Sequence, residues 1–505
     1  TDQLFCARDH MGFKPFYYYY HQGGLFIFAT EIKGIKAHPD VSLTMNEPFV
    51  ADALSTLKSE KDQTFYKEIY RLPPGHWINF TSSITEIRRY WEPDPNHELK
   101  LSSAEEYIKA FRDTLEEAVR CRLRSAYPLG AELSGGIDSS AVAAAAVGTH
   151  PDMRLYTASF DEPAYDELPE VRRFLQTRSR WFDQTRLQPA VCGRDSLEGL
   201  ADIIAAVEEP ISLGTILPTD CVCRAAAADV KAVLTGEGAD EIFSGYKKFM
   251  IETAAAQYSR MTAAEQARVT RHYPEVENYL ATRSHDPARR YIQAEALFDA
   301  AELKRLLGST PEEPVFPGEA APALTGREHP VNAAISFESR CRLPDYVILR
   351  LDKLSMRHGL ETRTPFLDYR LAEFAARLPV SMKVNLGLNR EKLICAYSFV
   401  RHGLLDAKTA FRKKQPFTFP MADWLSEPRT LPEPIREVVL GDLVQQHNVL
   451  DPGFVRRLSE NVTTAGVGPQ TLVSQADRLF SVIVFTLWYQ HFMRDYQNFR
   501  TREDN

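Results

Sequence analysis

The sequence predicts an α/β fold with a parallel sheet, set behind a shorter β-rich region. Three observations lead to it. Residues 128–133 (Pro-Leu-Gly-Ala-Glu-Leu) form a short apolar stretch fit for a buried strand. They run into Ser134-Gly135-Gly136-Ile137-Asp138-Ser139-Ser140 and then into an alanine-rich helix former at 141–147. A second apolar strand, Lys231-Ala232-Val233-Leu234, is followed by another glycine-bearing loop at 235–246. Residues 1 to about 95 instead show short aromatic and aliphatic runs broken by turn residues, the signature of strands and hairpins.

The first loop has the layout of a phosphate site. Strand, glycine turn and helix start together present backbone N–H groups to an anion. Gly135 and Gly136 lack a Cβ, so the backbone can approach a phosphate oxygen. Ser134, Ser139 and Ser140 add hydroxyl donors. Asp138 would repel phosphate unless it held a divalent cation, which points to magnesium. The run lacks the Gly-Lys-Ser/Thr ending of a Walker A loop. It resembles the pyrophosphate loop (Ser-Gly-Gly-x-Asp-Ser) of the ATP pyrophosphatases. The competing reading is an ordinary Gly/Ser turn capping a helix.

Size and composition narrow the field. At 505 residues the chain calls for two domains or more. With 44% hydrophobic and 25% charged residues it has the make-up of a globular protein. A net charge of −8 gives no support for nucleic-acid binding. No apolar run approaches the roughly 20 residues of a membrane helix. The chain starts at Thr1 without a signal-type segment, and its seven cysteines lack disulfide-framework spacing. Both features lead to the expectation of a cytoplasmic protein. Cys221-x-Cys223 falls in a helical pattern without a second pair, so helix packing is expected there rather than zinc.

In chain order, strands are expected at 4–8, 16–20, 25–29, 76–80 and 84–90, with a hairpin turn at His21-Gln22-Gly23-Gly24. Pro73-Pro74-Gly75 marks a turn. The run Ala7-Arg8-Asp9-His10-Met11-Gly12-Phe13-Lys14-Pro15-Phe16, with Phe28-Ala29-Thr30-Glu31-Ile32-Lys33 and Leu72-Pro73-Pro74-Gly75, resembles the second half of the glutaminase domain of asparagine synthetases. In that family the nucleophile is an N-terminal cysteine whose own amine is the base. Cys6 is internal and Thr1 stands in the wrong place for that role. The expectation is therefore a partial N-terminal-nucleophile-type domain over 1–95 that does not itself hydrolyse glutamine, in a chain that lost its start, with a degenerate domain as the alternative. Asp94-Pro95-Asn96-His97 is the expected linker to a domain over 96–505. Ser103-Ala104-Glu105-Glu106 suggests a capping box before an amphipathic helix with Tyr107, Phe111 and Leu115.

A further strand is expected over 153–160, followed by the acidic loop 161–167. In the family the end of that strand contacts adenine, which assigns Phe160 to the nucleotide. Asp166 and Glu167 read equally well as helix-start acids and stay outside the catalytic set. Thr235-Gly236-Glu237-Gly238-Ala239-Asp240-Glu241 closely resembles the family's second nucleotide loop. The resemblance implies that Leu133, Ser134, Gly135, Gly136, Asp138, Ser139, Ser140, Phe160, Thr235 and Gly236 line ATP, and that Asp138 and Asp240 share the magnesium. Glu237, between two glycines, is the candidate proton acceptor from the attacking amine, with a helix-start acid as the competing reading. Glu241 is expected to be salt-bridged or capping.

Residues 250–335 read as helical, with 312–330 a mobile excursion rich in Pro, Gly and Glu. The stretch 343–368 resembles a third family segment. There Asp352, Arg363 and Asp368 are expected as buried ion-pair scaffolding, Met356 and Leu360 as core, and His358 as structural. Lys392, in Asn389-Arg390-Glu391-Lys392-Leu393, resembles the family lysine that holds pyrophosphate, against a solvated helix charge. The basic run at 411–417 either closes over phosphates or is merely solvated. Beyond Pro432 amphipathic helices are expected.

Together these motifs imply a Rossmann-like ATP-pyrophosphatase synthetase domain behind the partial glutaminase-type domain. The implied reaction uses ATP and Mg2+ to adenylate a carboxylate, aspartate by default, and transfers ammonia from glutamine to give asparagine, AMP and pyrophosphate. Other carboxylates, or free ammonia, fit the same chemistry. Relatives that close an amide within one substrate, such as β-lactam synthetases and lasso-peptide cyclases, are the alternative. A non-catalytic nucleotide-binding partner is a third reading. Neither nucleic acid nor a membrane is expected as a partner, and a homodimer is compatible with these features.

Overall fold

In the computed structural model of the chain, the described residues are 3–21, 24–54, 62–81, 84–95, 97–183, 185–281, 296–308, 329–415, 417–460, 462, 466–467 and 470–503. Six short strands organise the first part: β1 (Leu4–Ala7), β2 (Tyr17–His21), β3 (Leu25–Ala29), β4 (Ile69–Arg71), β5 (His76–Phe80) and β6 (Ile84–Arg89). They form two antiparallel three-stranded sheets, ordered β1-β5-β6 and β3-β2-β4. The tyrosine run of β2 shows why this region reads as continuously apolar. Tyr18 faces one core with Cys6, Leu72 and Ile78. Tyr17 and Tyr19 face the other way, into a core shared with C-terminal helices. A strand covered on both faces loses its polar alternation. The hairpin pairing Tyr17–Ala29 to His21–Leu25 is as expected, while Gln22 and Gly23 of its turn lie outside the described residues. β4 and the helices Ile32–Lys36 and Glu47–Leu54 have no counterpart in the sequence reading.

The helix α1 (Ala104–Arg122) buries Tyr107, Ile108, Phe111, Leu115, Ala118 and Val119 on one face. Its start corrects the expected capping box. Ser103 accepts from the Glu106 N–H, but Glu106 reaches back to Ser102 rather than to Ser103. The central sheet follows: β7 (Leu129–Glu132), α2 (Ile137–Val147), β8 (Arg154–Ser159), α3 (Leu168–Thr177), β9 (Arg186–Val191), α4 (Leu200–Val207), α5 (Ile216–Ala227), β10 (Ala232–Leu234), α6 (Ala239–Ile242), α7 (Leu349–Arg357), β11 (Glu361–Arg363) and α8 (Leu393–Arg401). β9 and β11 were not expected as strands; half of β9 is exposed, and β11 has three residues.

All five central strands are parallel, in the order β11-β10-β7-β8-β9. The chain starts at β7, steps outward to β8 and β9, then returns to the other side of β7. The winding therefore reverses between β7 and β10. In open α/β sheets, ligands bind outside the carboxyl ends of the strands at such a switch point. Both glycine loops leave the sheet there. Gly130 lets the strands close up: a Cβ on it would lie 2.7 Å from the Tyr156 ring.

Several further expectations change. Met356 is about half exposed, whereas Leu360 is fully buried. The helix ends at Arg357 and the chain turns at Gly359, φ +66°, so Leu360 lies beyond the helix and packs inward by itself. Cys221 and Cys223, by contrast, pack inside α5, in the main core, as expected. The excursion expected at 312–330 lies outside the described residues as far as 328, and Pro330 opens the helix Pro330–Phe337. The terminal helix Gln475–Glu503 is not amphipathic over Leu479 to Tyr489; every residue there is buried. A helix apolar on all sides belongs in a core. Among the described residues, no helix is long and apolar enough to cross a membrane.

Buried charges join the first strands to the parallel-sheet region. Arg71 makes two bonds to Glu209 (3.0 and 3.1 Å) and pairs with Asp345 at 3.2 Å. Arg8 reaches the same Asp345 at 3.5 Å. Lys353 pairs with Glu208 and donates to the Thr30 carbonyl, while Glu208 accepts the N–H groups of Ile32 and Lys33. Lys14 pairs with Asp352 at 2.5 Å. Asp345 lies in a π-helical segment, Glu338–Ile348, that contains Pro344 and runs directly into α7. Of the expected scaffold residues, Asp352 and Asp368 are buried and paired, Asp368 with Arg122 and Arg370. Arg363 pairs with a half-exposed Glu361 and donates to the Arg122 and Arg124 carbonyls. His358 pairs with Asp220 at 2.8 Å.

Lys383 carries a stability prediction. It is 1% exposed and donates to the Asn332 side chain at 2.9 Å. Burial, opposed by the charge of Glu98, pushes its amine down to about 7. Above that value the native chain holds one proton fewer here than the unfolded chain. This group's contribution to stability therefore rises with pH between about 7 and the ordinary lysine value. Lys383→Met is expected to stabilise the protein at pH 7, by up to about 4 kcal/mol if no other contact is lost. Thermal melts at pH 7 and pH 9 check it: the gain should shrink at the higher pH, and a lower melting temperature at pH 7 would refute it.

Candidate active site

The loop after β7 is pre-shaped. Gly135 takes φ +71°, and Gly136 caps α2 in an extended conformation. The Ser139 hydroxyl accepts from the Ser134 N–H at 3.0 Å and lies 2.9 Å from the Ser134 hydroxyl. Leu133 is buried and anchored to the Tyr156 carbonyl. The Ser140 hydroxyl is buried without a hydrogen-bond partner among the described residues. Gly236 brings the second loop against the first: a Cβ there would lie 2.6 Å from the Ser139 nitrogen. Thr235 is buried, held by the Arg363 carbonyl at 2.9 Å. Phe160 is buried just past β8, on the same edge of the sheet.

Lys392 joins the two loops. It is 4% exposed, and its Nζ lies 2.5 Å from Asp138 and 2.6 Å from Asp240. A solvated helix charge is thereby excluded. It precedes α8 in the left-handed region at φ +48°, a backbone state unusual for a side chain of this size. Gly245 leaves it room, because a Cβ at 245 would fall on Asp240 and the Lys392 chain. Lys414 adds a second cation 2.7 Å from Asp240, and Arg412 bonds the Gly135 carbonyl and Glu167. The basic run thus faces the loops, with Pro416 outside the described residues. The charges respond as expected. Burial raises the acid of Asp138, with Lys392 opposing it. Burial is outweighed at Asp240, where Lys392 and Lys414 hold the acid down to about 2. Burial also pushes Glu167 up to about 7 despite Arg412.

Beside these loops lies a second group of charges. Glu237, about one quarter exposed, accepts from Arg350 at 2.9 Å. Arg350 is 1% exposed, and its Nε and Nη1 have no hydrogen-bond partner among the described residues. Glu132, the last residue of β7, is pushed up to about 7 by burial and then by the charge of Glu237, against the Thr235 hydroxyl and Arg350. Glu241 corrects its expectation: it is buried and accepts from the Tyr246 hydroxyl, with no ion pair among the described residues. Arg350 and Glu132 were not singled out from sequence. In sequence Glu132 stood out only as the one charge in 129–133, and Arg350 stood among the other charges of 349–355, Asp352 and Lys353.

Magnesium fits what is here. Asp138 Oδ1 is buried and without a hydrogen-bond partner among the described residues. Mg2+ typically takes one or two carboxylates together with substrate phosphates. No group of three or more His, Cys, Asp or Glu suited to a metal occurs among the described residues.

Comparisons with known proteins agree with this architecture. The asparagine synthase family profile matches residues 110–490, and a glutamine amidotransferase domain profile matches residues 1–91. The chain is 26% identical over 462 residues to "Asparagine synthetase [glutamine-hydrolyzing] 3" of Bacillus subtilis, covering 86% of this chain and 70% of that protein. It is 27% identical over 510 residues to "Amidase chry2" of Gibberella zeae, covering 90% and 72%. It is 32% identical over 252 residues to "Putative asparagine synthetase [glutamine-hydrolyzing] 2" of Methanocaldococcus jannaschii, covering 48% and 47%. With three quarters of its length matched by the one profile, its parallel sheet and its paired loops, the chain belongs to the asparagine synthase family and is a carbon–nitrogen ligase of the glutamine-hydrolysing asparagine synthase type.

Proposed function

We propose that the chain uses ATP to adenylate the side-chain carboxylate of aspartate, releasing pyrophosphate, and that ammonia then displaces AMP to give asparagine. The observation that carries this reading is Lys392, buried between Asp138 of one loop and Asp240 of the other, next to the Glu237–Arg350 pair. Backbone groups of Ser134 to Ser140 and of Thr235–Gly236 hold the phosphates, with Leu133 and Phe160 beside the nucleotide. Lys392 supplies charge where the pyrophosphate leaving group becomes more anionic. Lys414 and Arg412 reinforce it. Asp138 and Asp240 hold the magnesium, which supplies charge neutralisation at the phosphates. Glu237 sits at the edge of this face and accepts a proton from the attacking nitrogen. Division into a glutaminase-type unit over 1–95 and a synthetase unit over 96–505 follows the same reading, with ammonia from glutamine as the family's source.

Separating the two half-reactions tests the roles. Glu237→Gln is expected to lower amide formation about 10²–10⁴-fold. Aspartate-dependent exchange of pyrophosphate into ATP should fall far less. Unchanged amide formation, or equal loss of both activities, would overturn the assignment. Exchange supported by a peptide or another carboxylate, and not by aspartate, would transfer the reading to the intramolecular cyclases of this fold.

A further inference from the structure

The amide-forming step releases two protons when the nitrogen arrives as ammonium. One leaves to expose the lone pair that bonds to the acyl carbon. The second leaves the tetrahedral nitrogen as the acyl C–O bond breaks and AMP departs with its electron pair. One carboxylate, Glu237, accounts for only one of them. Glu132 stands beside it. It closes β7, immediately before the phosphate loop, and is the one charged residue in the stretch 129–133. Its Oε1 is buried and without a hydrogen-bond partner among the described residues. Facing it are Glu237 from the loop after β10, Arg350 from α7, the Thr235 hydroxyl and the Cys223 thiol of α5.

A purely structural buried acid is paired, because an unpaired one costs stability. Here the neighbouring cation does not close on it: no ion pair joins Glu132 to Arg350 among the described residues, and Arg350 keeps two nitrogens unbonded. An unsatisfied acceptor and unsatisfied donors thus lie close together at one site. They suit a reacting centre that carries N–H groups on one side and oxygen on the other.

We propose that Glu132 is a second carboxylate of the amide-forming site, binding the attacking nitrogen as its ammonium ion and taking one of the two protons it gives up. The proposal rests on the reading of Glu237 above. An acid poised at about 7 suits this duty, since it ionises beside a cation and accepts a proton readily near neutral pH.

The test uses the full chain with Mg-ATP, aspartate and ammonium chloride. Glu132→Gln should raise KM for ammonium about ten- to hundredfold, the loss of a hydrogen bond to a charged partner, with KM for ATP changed far less. In the wild type, kcat/KM for ammonium should rise with pH through about 7, and that step should vanish in the Gln variant. If Glu237→Gln loses amide formation while Glu132→Gln keeps the wild-type KM and pH profile, this inference falls and the reading beneath it stands. If Glu237→Gln keeps amide formation, the underlying reading falls. Should Glu132→Gln fail to fold, the wild-type profile decides together with Glu132→Asp. A step near pH 7 that moves in the Asp variant supports the proposal, and a flat wild-type profile overturns it.

Discussion

Lys392→Met is expected to lower kcat/KM for ATP about 10²–10³-fold, the scale of losing one well-placed charged donor in a dry site. The lysine is the sole residue bonded to both Asp138 and Asp240 among the described residues. Methionine keeps the unbranched chain, so the effect is one of charge and not of volume. The left-handed backbone at 392 is common to both residues and adds no difference. Lys392→Arg should not rescue, because Gly245 is packed against the lysine chain with no space for a guanidinium. The variant also leaves two carboxylates without their shared cation. Added Mg2+ should therefore raise its melting temperature more than it raises that of the wild type. Equal ATP kinetics in variant and wild type would remove Lys392 from the site.

Arg71→Met is expected to destabilise the protein by about 3–5 kcal/mol, although residue 71 lies far along the chain from both loops. Removing one partner of a buried ion pair leaves the other charge in a poor solvent. Here Glu209 and Asp345, 0% and 4% exposed, both lose the guanidinium. Arg8 at 3.5 Å is a weak substitute for Asp345. Because Asp345 lies five residues before Arg350 on one continuous helical path, the same change should also slow amide formation through Glu237. Arg71→Met combined with Glu209→Leu should recover part of the stability, because the pair is then replaced rather than broken. A melting temperature within a degree of wild type for the single variant would refute the account of this network.

Much of this was legible in the sequence because local chemistry demanded it. Two strands each ending in a glycine loop required a parallel sheet with both loops at one edge, and β7 and β10 are neighbours. Lys392 was legible only as a motif. Its burial depends on Gly245 and on two loops more than 100 residues away. Arg350 and Glu132 stayed hidden for the opposite reason. Arg350, among the charges of 349–355, and Glu132, ending its strand, read as solvated until the fold buries the one and the Oε1 of the other. Met356 failed because the helix ends at Arg357, so Leu360, past the turn at Gly359, does not share a helix face with it. The short strands β4 and β11 hold their places through pairing with β2 and β10, so no local pattern announces them.

The most direct test of an acyl-adenylate formed at this site is to follow oxygen. The full chain would be incubated with Mg-ATP, ammonium and aspartate carrying ¹⁸O in its side-chain carboxylate, and the products weighed by mass spectrometry. The account predicts asparagine together with AMP that has gained a single ¹⁸O from the carboxylate. AMP free of label, or ADP and phosphate in place of AMP and pyrophosphate, would contradict it.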